Sequence, residues 1–271
     1  MTRDGQAFFT ADGDDLVPSP IARGPWGTTI SGTYVGGLLG RAVELAGGDT
    51  ALQPARLTVD LLRPVSLLEP VRVDTRVERD GRRLRLVDAA MAQNGTVVAR
   101  ASALFLRRAD QPDEPVWTTP IEMPPLPTEP AELAAGFTME LWAYGANAAL
   151  TGPTMDLSEW RHGGPKYAWV RDVTPLVAGE TVTPFVRAAM AGDVTSSLTH
   201  SSASGLNFIN ADYTLTLSRL PDGEYVGLAA LTHYSHAGVA TGTAAIFDRL
   251  GPIGAAVATG LANPGFRPPT R

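Results

Sequence analysis

Leu57-Thr-Val-Asp-Leu-Leu-Arg63-Pro64 and Tyr213-Thr-Leu-Thr-Leu-Ser-Arg219-Leu220 stand at a constant offset of 156 and share one pattern. Apolar and polar residues alternate, then an arginine and a turn close the run. Alternation at period two marks a half-buried strand. Each run opens a four-strand block. In the first, Ala55 to Leu106, the strands carry Leu57/Val59/Leu61, then Val71/Val73/Thr75/Val77 against Arg72/Asp74/Arg76/Glu78, then Leu84/Leu86, then Val97 to Leu106. Asp80-Gly81 and Asn94-Gly95 supply hairpin turns. The second block, Ala211 to Leu261, continues with Tyr225 to Leu231, Val239 to Phe247 and Pro252 to Leu261, and its separators are Asp222-Gly223, His236-Ala-Gly238 and Asp248-Arg-Leu-Gly251.

A helix is expected before each block. Val35, Leu38, Leu39, Ala42 and Ala46 follow the apolar spacing of a helix face, with Leu45 widening the stripe. Gly32, Gly36, Gly37 and Gly40 weaken that helix by up to about 1 kcal/mol each relative to alanine, so tertiary packing must compensate. Before the second block, Thr183-Pro184 suits the cap and first turn of a helix. Phe185, Val186, Ala189 and Met190 form its stripe, and Gly192-Asp193 predicts a break or restart. Seven prolines between Pro112 and Pro130 predict a stiff, extended connector. The expected organisation is an N-terminal unit over 1–108, a Pro-rich linker over 109–135 and a C-terminal unit over 136–271, one α+β unit duplicated.

Composition narrows the function. The chain has 271 residues, of which 44% are apolar and 18% charged, enough to bury a core. A net charge of -6 argues against a nucleic-acid partner, which selects basic footprints. Absence of cysteine excludes disulfides and thiolate chemistry. The four histidines, His162, His200, His233 and His236, offer no ligand spacing, so neither metal nor cofactor is expected. Met1-Thr2-Arg3-Asp4 lacks an apolar leader and the uncharged runs are rich in Gly, Ser, Thr or Pro, so a cytoplasmic protein without a membrane span is expected.

Gly24-Pro-Trp-Gly27, Gly36-Gly-Leu-Leu-Gly-Arg-Ala-Val-Glu44 and Arg56 to Pro64 resemble the N-terminal half of the double-hotdog acyl-CoA thioesterases (acyl-CoA thioesterase II, TesB-like). Asn210-Ala-Asp212-Tyr-Thr-Leu-Thr-Leu-Ser-Arg219 and Gly223-Glu224-Tyr-Val-Gly-Leu228 resemble the C-terminal half. The resemblance covers roughly residues 8–108 and 137–262. It implies a double hotdog, two antiparallel sheets continuous with each other and each wrapped around a long central helix, and an acyl-CoA substrate cleaved to free acid and CoA by carboxylate-activated water. It also implies a constellation of Asp, Thr or Asn, and Gln. Asp193 takes the first role and Asn210 the second, while Ala258 stands at the Gln position, with Thr259 or Ser197 as substitute hydroxyls. A His-Gly-Gly common at the first helix falls on Ser31-Gly32-Thr33, expected to meet substrate.

Thioester hydrolysis needs a carboxylate that orients or deprotonates water and donors aimed at the developing oxyanion. Each candidate also has a structural reading. Asp193 can cap a helix, Asn210 can close a turn, Asp212 can face solvent or an arginine, and Thr195 to Ser204 can be a gating or an ordinary polar loop. Arg63 and Arg219, at matching strand ends, can contact CoA phosphates or stay solvated. Trp26, Trp142, Trp160 and Trp169 are expected in the core or an interface. Ser202-Ala-Ser204-Gly205 is no nucleophile elbow. Two other readings stand beside hydrolysis. One is a catalytically weak acyl-thioester-binding protein, because Ala258 and Ser31 replace polar family residues. The other is an enoyl-CoA hydratase or dehydratase, which the seven-residue gap from Asp193 to His200 disfavours. Open sheet edges make a homo-oligomer, dimer or higher, the expected assembly.

Overall fold

A computed structural model of the chain describes residues 6–48, 51–127, 139–145 and 156–263. A hairpin of β1 (Phe9–Asp12) and β2 (Asp15–Pro18) precedes α1 (Gly32–Gly47) and the meander β3 (Leu52–Leu61), β4 (Val71–Asp80), β5 (Leu84–Gln93) and β6 (Thr96–Arg107). β7 (Met139–Tyr144) and β8 (Tyr167–Asp172) lead to α2 (Pro184–His200). The short β9 (Ser201–Ser202), β10 (Gly205–Leu206) and β11 (Phe208–Asn210) follow, then β12 (Asp212–Leu217), β13 (Val226–His236), β14 (Val239–Asp248) and β15 (Gly251–Ala262). Both expected four-strand blocks are present. Asn94 at φ 49° and Gly95 at φ 74° make the β5–β6 turn, as an Asn-Gly hairpin requires.

Except for β9 and β10, which pair with each other, the strands form one continuous antiparallel sheet, ordered β1-β2-β4-β5-β6-β3-β12-β15-β14-β13-β8-β7, with β11 on β15. The order is a palindrome when β3 is exchanged with β12, β6 with β15, β5 with β14 and β4 with β13. Its centre is the β3–β12 pair, where Leu57 faces Leu215, Thr58 faces Thr214 and Val59 faces Tyr213. Residues 156 apart therefore exchange places across the seam. α1 lies against β3 to β6, α2 against β12 to β15, and the helices touch each other.

That helix contact explains the glycines of α1. A Cβ on Gly37 would lie 2.8 Å from Met190 Cγ, and one on Gly40 2.8 Å from Ala189 Cβ, so the missing side chains admit α2. α2 is capped as expected: the Thr183 hydroxyl accepts from Val186 N–H at 3.1 Å. It does not break at Gly192-Asp193, however, but runs unbroken to His200. Gly192 survives inside it because the Tyr213 ring occupies its side-chain space, 2.8 Å from where a Cβ would stand. Most of the expected Thr195–Ser204 loop is thus helix, and only its end leaves α2.

The described part of the connector, 109–127, has no regular structure but is fastened down. Trp169 Nε1–H donates to Pro124 O at 2.9 Å and the Tyr144 hydroxyl to Pro125 O at 3.0 Å. Ile121, Met123 and Leu126 pack on the same cluster. Its continuation from 128 lies outside the described residues. No helix among the described residues is long and apolar enough to cross a membrane.

Candidate active site

Asp193 projects from the middle of α2 toward the start of α1. Its Oδ2 accepts from the Thr33 hydroxyl at 2.9 Å, and its Oδ1 accepts from Asn210 Nδ2 at 2.9 Å. The Thr33 backbone N–H also donates to it. A carboxylate at a helix start meets unsatisfied N–H groups and the positive end of the helix dipole. Burial nevertheless pushes the Asp193 carboxyl above its usual range, while the donors from Asn210 and Thr33 hold that rise back. Gly32 leaves the approach open, since a Cβ there would stand 2.7 Å from Oδ1.

These groups border a groove of about 1280 Å³. Val35, Leu61, Val65, Met139, Leu141 and Trp160 give it an apolar wall, and Arg63 and Arg161 stand at its exposed rim. Trp26 also lines it, and Trp160 is buried in its wall. A groove with an apolar wall beside a buried carboxylate suits an acyl chain with its reacting carbonyl at the acid.

The expected residues divide accordingly. Asp193, Asn210, Ser31, Gly32, Thr33 and Ser197 all border the groove. Asp193 is no helix cap, and Asn210 ends β11 rather than closing a turn. Ser31 precedes α1 without a side-chain capping bond, and the Ser197 hydroxyl donates to Val194 O at 3.1 Å. Thr259 is not brought to the groove. Its hydroxyl donates to Asp212 Oδ1 at 2.7 Å and its N–H to the same oxygen at 2.8 Å, so the half-buried Asp212 pairs with Thr259 rather than with an arginine. Alternation sends Thr259 to the opposite side from Ala258, which is fully buried and pairs with Gly242, itself against Thr199 and His200 of α2. Arg219 is also elsewhere: it forms a bidentate ion pair with the buried Asp248.

Two groups escaped sequence reasoning. Tyr213 wedges between Gly36 and Gly192 and donates to Ala189 O at 2.7 Å, so a strand tyrosine sets the helix spacing beside Asp193. The signal was available in the two glycines that face it. Arg161 follows a 3-10 turn capped by Asp156, and nothing in the local sequence marked it as rim.

The N-terminal domain of the acyl-CoA thioesterase family matches residues 22–106, and its C-terminal domain matches residues 109–261. The chain belongs to the acyl-CoA thioesterase family. It is a thioester hydrolase. No curated protein sequence matches it. Among solved structures, this thioesterase is similar to the tesB protein of Mycobacterium avium subsp. paratuberculosis at 15% identity, TM-score 0.66, over 94% of this chain and 96% of that one. It is similar to acyl-CoA thioesterase II TesB2 of Mycobacterium marinum at 18% identity, TM-score 0.61, over 88% and 91%. A hot dog fold protein of Alicyclobacillus acidocaldarius matches at 15% identity, TM-score 0.66, over 97% and 96%. At such identities the likeness establishes the hot dog fold of the thioesterase and leaves its chemistry to the site.

The hydratase reading finds no geometry here. His200 lies two turns beyond Asp193 on α2, and its Nδ1 instead meets His233 Nδ1 at 2.9 Å.

Proposed function

We propose that the protein is a double hotdog, with units over 1–108 and 136–271 joined by the 109–135 linker, that hydrolyses an acyl-CoA at Asp193. The single observation that carries this reading is the Asp193 carboxylate, held by Thr33 and Asn210 on the border of a groove with an apolar wall. The acyl chain lies along Val35, Val65 and Trp160, and the thioester carbonyl reaches Asp193. Ionised Asp193 takes a proton from water as the water attacks the carbonyl carbon. The oxyanion forms beside Gly32 at the start of α1, because the N–H groups of Thr33, Tyr34 and Val35 are taken by Asp193 and by Ser31 O. One donor to such an oxyanion is worth about 3 kcal/mol of barrier. Collapse of the tetrahedral species expels CoA as thiolate, which takes the proton from Asp193, and leaves the free acid and the ionised base.

Asn210 and Thr33 orient the carboxylate and support its ionised form. Ser31 and Gly32 leave room for the reacting carbonyl, and Ser197 contributes groove surface. Arg63 and Arg161 attract the phosphates of CoA at the rim. The groove needs no metal and no cofactor for this chemistry. Absence of cysteine supports a reducing, cytoplasmic setting, and open sheet edges support self-association into a dimer or larger assembly.

Incubating the protein with short, medium and long acyl-CoAs and a thiol reagent tests the reading. Continuous release of CoA is expected for at least one chain length. Tight acyl-CoA binding without release would instead assign the chain as a binder, the reading that Ala258 at the family Gln position favours.

A further inference from the structure

The palindrome of the sheet has a consequence for ligand binding. Leu61, Leu62, Arg63 and Pro64 line the mouth of the active-site groove, together with Ile209, Ala211 and Leu261. Their counterparts at the same 156-residue offset, Leu217 to Leu220 with Gln53 and Ala55, line a second cleft of about 610 Å³. Register confirms the match, since Ile209 pairs with Leu261 as Gln53 pairs with Leu106, which also lines the second cleft.

The two helices also exchange carboxylate contacts, although not at the 156-residue offset, which takes Asp193 to Gly37 and Glu44 to His200. Asp193 of α2 meets Thr33 in the first turn of α1, and Glu44 of α1 meets Thr183, the cap of α2, at 2.6 Å. Yet Glu44 does not line the second cleft, and Pro54 stands where Asn210 would be. Pro54 pairs with the buried Phe105, whereas Asn210 pairs with Gly260. The ring of Phe105 fills the space beside Gly47, 2.6 Å from where a Cβ would stand. The acyl half of the duplicate groove is closed, and Gly37 stands at the position that corresponds to Asp193.

The mouth of the duplicate has remained open and become cationic. Arg107, Arg108 and Arg219 line it. Buried Gln53 anchors Arg108, accepting from its Nε at 3.2 Å while donating to Ser218 O at 3.0 Å. Arg107 Nε donates to Arg82 O at 2.5 Å, and its backbone N–H to Arg83 O, which fixes Arg107 at the edge of the cleft. Arg219 is neutralised by the buried Asp248, which also accepts from the N–H groups of Asp222 and Leu250, so Arg107 and Arg108 carry the positive charge of the cleft. On a chain of net charge -6 this is a local inversion of sign. Planar guanidinium groups in such a cluster bind phosphate oxygens bidentately.

We propose that this cleft is a second, non-hydrolytic site for the phosphorylated nucleotide end of CoA. The assignment rests on the acyl-CoA reading above, because it takes the cleft to have kept the ligand half that its twin receives at the mouth. The full chain and an Arg107→Ala/Arg108→Ala variant are titrated calorimetrically with adenosine 3′,5′-bisphosphate, with inorganic phosphate as competitor, and both proteins are assayed for acyl-CoA hydrolysis. The expected result is a nucleotide-binding component weakened at least tenfold in the variant, with kcat/KM within twofold of the parent and an unchanged melting temperature. Equal nucleotide affinity in the two proteins would overturn the proposal, as would displacement by inorganic phosphate at concentrations equal to the nucleotide. Because the probe has no thioester, loss of the hydrolysis reading and loss of this site are observed separately.

Discussion

Thr58 and Thr214 share a hydrogen bond of 3.0 Å at the centre of the sheet. Each occupies the same place in its own half, so the bond marks the point about which the halves exchange. Each helix also places a carboxylate at the other's start, Asp193 at Thr33 and Glu44 at Thr183, at positions that the 156-residue offset does not relate. Only Asp193 faces an open groove.

The helix spacing beside Asp193 depends on Tyr213 fitting between two glycines. Gly36→Ala gains a little helix propensity, but its Cβ would stand 2.1 Å from Tyr213 Oη. Overpacking of this kind costs about 1–3 kcal/mol. In a Tyr213→Phe background the cost should fall to below about 1 kcal/mol, giving a non-additive cycle in denaturant unfolding. Additive costs would show that the two residues do not meet.

Gly32→Ala tests the approach to the acid. The substitution suits the helical backbone, yet its methyl would stand 2.7 Å from Asp193 Oδ1. Turnover of acyl-CoA should drop at least tenfold while the melting temperature changes by only a few degrees. Full turnover would mean that substrate reaches the acid from another side.

Burial raises the Asp193 carboxyl from its ordinary 3.8, and hydrolysis requires the ionised form. The acid limb of kcat/KM should therefore lie above the ordinary carboxylate value, with activity lost as pH falls through it. Asn210→Ala removes a donor that favours the charge, so the limb should move to higher pH. A limb that stays in place, read from the pH profile, would detach Asn210 from Asp193.

The contact between His200 Nδ1 and His233 Nδ1 requires one nitrogen to accept, so the rings cannot both be protonated there. Burial, then the neighbouring His233, lowers His200 from 6.5 to about 4, and burial with the nearby Lys166 charge lowers His233 as well. Between those values the unfolded chain binds more protons than the folded one. Stability should fall as pH drops from about 6.5 toward 4, and His200→Gln should flatten that slope in thermal melts. An unchanged slope would place the acid sensitivity elsewhere.

Both strand blocks could be read from sequence because alternation at period two and Asn-Gly or Asp-Gly turns are local signals. The first helix could be read from its apolar spacing despite four glycines, and only the packed structure shows that α2 is what those glycines admit. The continuity of α2 through Gly192-Asp193 was hidden, because local propensity records the glycine and not the Tyr213 ring that occupies its place. The same limit applies to the site. The residue types of Asp193, Asn210 and Thr33 were visible, but their convergence depends on two helices meeting. Thr259 was misdirected by adjacency to Ala258, although a strand turns neighbours to opposite faces, and Arg219 by its likeness to Arg63 across the duplication.

The central claim is that Asp193 supplies the base for hydrolysis. It is tested most directly by the turnover of Asp193→Asn, measured as CoA release from the best acyl-CoA substrate alongside a thermal melt. The asparagine keeps the shape and removes a buried charge, so the protein should melt at the same temperature or slightly higher. Its kcat should fall by about a hundredfold or more. Turnover equal to that of the parent protein would contradict the account.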